Sequence, residues 1–147
     1  LFYYEKKDIG GKMKGKLVTA MSKNREVRIY VAQTTDMVEA ARVTHDLSPI
    51  STSALGRVIT AAAMMGMMSK IEKEKMTLQI KGTNAIKLMV AIADTHGNVK
   101  AYTTNPHAEN FYTDAGKLDV GKAIGKDGQI IVIKDFGMKE PFIGQCS

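Results

Sequence analysis

The chain has 147 residues, 44% hydrophobic and 24% charged, which suits one domain with a modest hydrophobic core and excludes a disordered chain. The net charge is +6, but Lys6, Lys7, Lys12, Lys14 and Lys16 against Glu5 and Asp8 supply half of that excess within residues 1–16. A single cysteine, Cys146, excludes an internal disulfide and a cysteine metal cluster, and His45, His96 and His107 fall at no metal-ligand spacing.

Residues 1–15 read as a basic leading or appended segment, with Met13 as a candidate start and the domain running from 16 to 147. Leu17–Met21 and Val27–Gln33 are expected to be strands joined by a polar turn. The alternation of Val27, Ile29 and Val31 with Arg28 and Tyr30 predicts a sheet with one buried face. Thr35 or Asp36 then caps a helix running to His45, with Glu39 near its N-terminus in the favourable electrostatic sense. Pro49 separates it from a long helix over Ser51–Lys70, capped by Ser51 or Thr52. Met76–Lys81 and Ile86–Ala93 form a hairpin across Gly82–Ala85, and Val99–Thr103 follows the turn Thr95–Asn98. After a polar loop, Asn105–Gly116, come a short helix (Leu118–Ile124), a strand (Gln129–Lys134) and the start of another at Phe142.

An internal echo links the two halves. Leu17-Val18 and Val27-Arg-Ile-Tyr30 match Met89-Val90 and Val99-Lys-Ala-Tyr102 at a constant offset of 72, and Leu55–Ile59 parallels Val120–Ile124. The expected fold is α+β: pseudo-duplicated β-β-α-β units, with mixed β-sheets packed on one long and several short helices.

Motifs for catalysis are lacking. Gly116–Gly121-Lys122 spaces its glycines like a phosphate loop, but Ala123 stands where Ser or Thr would reach magnesium. Ser51, Ser53, His45 and Asp46 lack a nucleophile elbow, so no hydrolase follows. Lys81, Lys87 and Lys100 with Tyr30 and Tyr102 give nucleic-acid binding some support, weakened by 6% aromatic content. The apolar run Val58–Met68 is too short to span a bilayer, and the N-terminus has no export signal.

What stands out is apolar surface. The long helix is apolar all round in its second half and carries Met64, Met65, Met67 and Met68, which suit a core or a grip on irregular partners. Met76, Leu78 and Ile80 share one strand face, Leu88, Val90 and Ile92 share another, and Met89 opposite them would present an apolar side chain to water. Met76, Leu78, Ile80, Leu88, Met89, Met64 and Met68 are therefore the candidate binding residues.

Thr34–His45, Ser53-Ala-Leu-Gly-Arg57, Leu78–Gly82, Gly116–Gly125 and Ile130–Gly144, in that order and spacing, resemble the 33-kDa chaperonin family over roughly Lys16 to Gly144. These are redox-regulated heat-shock holdases of the bacterial cytosol. The turn Thr83–Lys87 departs from the glycine–proline turn common in the family. The resemblance implies an ATP-independent chaperone, not an enzyme, that holds unfolded client proteins through apolar surface, and an N-terminal domain able to form a homodimer. It implies no cofactor in this chain, because the family's zinc sits in a C-terminal four-cysteine module absent here, and it implies a cytoplasmic location without membrane partners. The alternatives are a structural dimerisation scaffold of the same chaperone and a basic nucleic-acid-binding domain.

Overall fold

The computed structural model describes residues 2–11 and 15–147, and the side chains of 5–11 and 15–147. Met13, the candidate start, lies outside the described residues. The strands are β1 (Phe2–Ile9), β2 (Gly15–Ser22), β3 (Arg28–Gln33), β4 (Lys75–Lys81), β5 (Leu88–Asp94), β6 (Val99–Thr103), β7 (Gln129–Asp135) and β8 (Phe142–Cys146). The helices are α1 (Thr35–His45), α2 (Pro49–Met67) and α3 (Val120–Ile124). One sheet has the order β1-β2-β3 and the other β6-β5-β4-β7-β8. This is the α+β class, and every pairing is antiparallel where mixed sheets were expected. Hairpin connections account for most of it, because a short turn can only return the chain antiparallel.

The leading segment differs from its expected role. Phe2–Ile9 is a strand paired with β2 along its length, and Ile9 is buried in the core. The sequence echo survives as element order, since the β2-β3 and β5-β6 hairpins each precede a helix and a strand. It does not survive as arrangement, because the two hairpins lie in different sheets while β4 and β7 pair directly.

Helix α2 is the centre of the molecule. Ser48, not Ser51 or Thr52, is its N-cap: its hydroxyl accepts from Ser51 N and donates to Ala108 O at 2.8 Å. Pro49 takes the first helical position, where its missing N–H costs nothing. Asn110 Oδ1 accepts from Ile50 N at 3.1 Å, so the loop after β6 supplies a second cap. Ile50, Ala54, Leu55, Val58, Ile59, Ala62 and Ala63 are buried in the main core, each large side chain contributing about 1.5–3 kcal/mol. By length and composition α2 could cross a membrane. Here it packs against the five-stranded sheet on one side and against α1 and β3 on others.

Helix α1 begins after Thr34, whose hydroxyl lies 2.6 Å from that of Thr60 on α2 instead of capping its own helix. It ends at Asp46, a left-handed residue with φ 50°.

Candidate functional site

The five-stranded sheet has two apolar faces, and the register decides which residue lies on which. Met76, Leu78 and Ile80 on β4 stand opposite Ala93, Ala91 and Met89 on β5. This face packs on α2; Met76 and Met89 are each 1% exposed, Leu78 is buried and Ile80 is partly buried against the same core. Met89 therefore faces the core and not water. A Cβ added to Gly66 of α2 would stand 2.9 Å from Ala93 Cβ and 2.5 Å from Asp94 O. So close an approach admits Ala93 beneath the helix and leaves no room there for a side chain as large as its neighbour Ile92, which points outward.

The outer face carries Leu88, Val90 and Ile92 from β5, Ile131 and Ile133 from β7, Ile143 from β8 and Tyr102 from β6, with Thr77 and Gln79 at its centre. Ile92 is 43% exposed, Tyr102 47% and Ile143 65%. Along the edge of β6 this face runs into a groove of about 380 Å³ bordered by Ala40 and Thr44 of α1. Lys75, Lys81, Lys100, Asp94 and Asp135 supply its charges. Burial pushes the Asp94 carboxyl up, but hydrogen bonds from the Asn98 side chain and from the Asn98 and His96 backbone together hold it below the usual aspartate value. The three-stranded sheet has a similar outer face. Val27, Ile29 and Val31 are exposed, while Tyr30 and Ala32 pack on the core, the reverse of the expected burial.

Of the seven candidate side chains, Leu88 lies on the open face, and Met64 and Met68 lie on the second half of α2 and just past its end, partly buried and exposed respectively. Met76, Leu78, Ile80 and Met89 sit beneath α2. Ile131, Ile133 and Ile143 join this face without having been singled out in the sequence, where Tyr102 figures only as a stacking platform for nucleic acid. The signal available was Ile131 alternating with Ile133 on a strand whose other face is also apolar.

The remaining motifs have structural roles. Ser51 is buried and donates to Asn105 O at 2.9 Å, while Asp46 faces His107 at 3.8 Å. Lys122 N, which a phosphate would need, donates to Asp119 Oδ1 at 2.9 Å, and Lys122 Nζ lies 5.6 Å from the centre of the Phe111 ring. Among the described residues no three His, Cys, Asp or Glu side chains gather as a metal site, and Cys146 is exposed and single. These residues do not fit a zinc centre.

Residues 15–147 match the protein family described as Hsp33 protein. The chain belongs to the Hsp33 family. The 33 kDa chaperonin of Alkaliphilus metalliredigens is 46% identical over 132 residues, covering 90% of this chain and 45% of the relative. The 33 kDa chaperonin of Bacillus cytotoxicus is 47% identical over 133 residues, with 90% and 45% covered. The crystal structure of the 33 kDa chaperonin (heat shock protein 33 homolog) from Thermotoga maritima superposes with a TM-score of 0.81 at 35% identity, covering 87% of this chain and 43% of that one. The chain thus spans less than half the length of these Hsp33 relatives.

Proposed function

We propose that this chain is the client-holding domain of an ATP-independent, cytoplasmic stress chaperone, and that unfolding proteins dock on the outer face of the five-stranded sheet. One observation carries the reading: the sheet is apolar on both faces, and the outer one leaves Ile92, Tyr102 and Ile143 open to solvent. Large exposed apolar patches mark interaction sites. A flat array of isoleucines beside Thr77 and Gln79 makes few directional demands, which suits partners that share no sequence. Leu88 and Met68 are accessible to a client as the domain stands; Met76, Leu78 and Met89 would contribute only if α2 lifted from the sheet. Redox control by a zinc module belongs, on this reading, to sequence beyond these residues, and the domain holds clients without cofactor or nucleotide.

The test is light scattering of a thermally unfolding client with increasing amounts of the domain, under reducing conditions. Ile92→Asp combined with Ile143→Asp should abolish suppression while the domain's own melting temperature stays unchanged, because both sites are exposed. Full suppression by that folded variant would remove the outer face from the mechanism. The open backbone edges of β3 and β8 support the second reading, a dimerisation scaffold. A folded wild-type domain that forms a dimer and suppresses nothing would favour it.

A further inference from the structure

A second surface, on the other sheet, is built differently. Leu17 and Met21 of β2, Tyr30 of β3, and Met67 and Met68 at the end of α2 line a groove of about 550 Å³. Met21 and Arg28 also line an adjoining cavity of about 620 Å³ with Lys23 and Arg25. The floor thus sets thioethers, which adapt to irregular side chains, beside the hydroxyls of Thr19 and Ser69.

The rim is strongly basic. Arg28 stands on β3, Lys23 and Arg25 on the β2–β3 turn, Lys70 just beyond α2 and Lys7 on β1. Two carboxylates lie in the same region. Glu5 pairs with Lys7 at 3.2 Å, and Glu26 accepts from the Asn24 side chain at 2.5 Å. At the end of α2 the Met65 and Gly66 carbonyls accept from Met68 N and Ser69 N. Positive charge dominates, and it surrounds a floor whose apolar part is the methionines and Tyr30.

We propose that this groove is a docking site for an extended protein segment whose apolar residues are flanked by aspartates or glutamates. Apolar side chains enter between the methionines while their carboxylates meet Arg28 and Lys70 at the rim. Arginine suits carboxylates especially, through its forked donors. A nucleic-acid strand would want stacking platforms beneath a basic rim. The floor offers one aromatic, Tyr30, among methionines, so a peptide fits better than a strand of bases. The site is separate from the outer face of the five-stranded sheet, and its test does not depend on suppression of aggregation.

Fluorescence anisotropy with a labelled peptide of alternating leucine and valine flanked by glutamates is the direct measurement. A matched peptide with lysines for the glutamates and a single-stranded oligonucleotide serve as comparisons. The acidic peptide should bind at least about tenfold tighter than the basic one, with affinity falling as salt rises. Arg28→Glu combined with Lys70→Glu should erase that preference, whereas Ile92→Asp with Ile143→Asp should leave it intact. Should the charge-reversed chain fail to fold, Arg28→Gln with Lys70→Gln makes the same comparison. Equal binding of the two peptides, or a preference that survives in the folded rim variant, overturns the proposal. An oligonucleotide that binds tighter than the acidic peptide overturns it in favour of nucleic acid.

Discussion

Replacing Gly66 by alanine tests the packing that divides the five-stranded sheet into a covered and an open face. In an isolated helix the change would stabilise by about 1 kcal/mol, because alanine is the better helix former. Inside this molecule the new Cβ would lie 2.5 Å from Asp94 O and 2.9 Å from Ala93 Cβ. Carbon atoms sit comfortably about 3.5–4.0 Å apart, so α2 must retreat from β5 by something approaching 1 Å. The first obstacle is a backbone oxygen, which cannot rotate aside as a side chain could. Overpacking of this kind costs about 1–3 kcal/mol, and moving the helix also loosens contacts made by Ala62 and Ala63. With the cost toward the upper end of that range, the expected net loss is about 1–2 kcal/mol. That corresponds to a fall in melting temperature of about 2–8 °C for a domain of this size. Circular dichroism on heating, together with urea unfolding, reads it directly. A Gly66→Ala variant as stable as the parent would mean that α2 does not approach β5 so closely. The argument for Ala93 facing inward and Ile92 outward would then lose its cause.

Met76, fully buried on the covered face, should cost about 2–5 kcal/mol when cut to alanine, measured as a lower urea midpoint; a loss under 1 kcal/mol would contradict its position. Glu74 is buried, with Ser69 Oγ and Lys134 Nζ as its partners, the latter at 3.4 Å. Lys134→Ala should destabilise by about 1–3 kcal/mol by leaving a buried carboxylate without its cation. Adding Glu74→Gln should recover part of that loss in a double-mutant cycle, and strict additivity would deny the coupling. Asp94 has a folded pKa below its ordinary value. Its ionised form therefore contributes stability above the unfolded-state pKa, and that contribution is lost as pH falls through the folded one. The stability difference between wild type and Asp94→Asn should shrink over that acid range, and a constant difference would count against the hydrogen bonds from Asn98 and His96.

Much of the fold is legible in the sequence because local rules and tertiary structure agree there. Asp46–Pro49 breaks the chain between two helices for the reason proline always offers, and the strands from Lys75 to Thr103 lie within two residues of where alternation puts them. The leading strand β1 was not legible. A charged run, Glu5-Lys6-Lys7-Asp8, fills half of it, and its pairing rests on β2 supplying an edge rather than on its own pattern.

The faces were the harder problem, and the same physics explains both reversals. Val27, Ile29 and Val31 are more apolar than Arg28, Tyr30 and Ala32, so alternation alone buries the first set. The structure buries parts of the second, because Tyr30 and Ala32 border α2, where a flat ring and a methyl fit and three branched side chains do not. On β5 the covered face takes Met89, Ala91 and Ala93, and at Ala93 Gly66 brings the helix too near for anything bigger than alanine. In a strand that is apolar on both sides, hydrophobicity cannot choose the buried face, and helix proximity chooses it by volume. Ile92 is then left facing solvent, while Val90 on the same face is itself buried. The outward Ile92 is thus a geometric consequence of a core helix packed closely over Ala93, and the proposed docking on the outer face starts from that exposed residue.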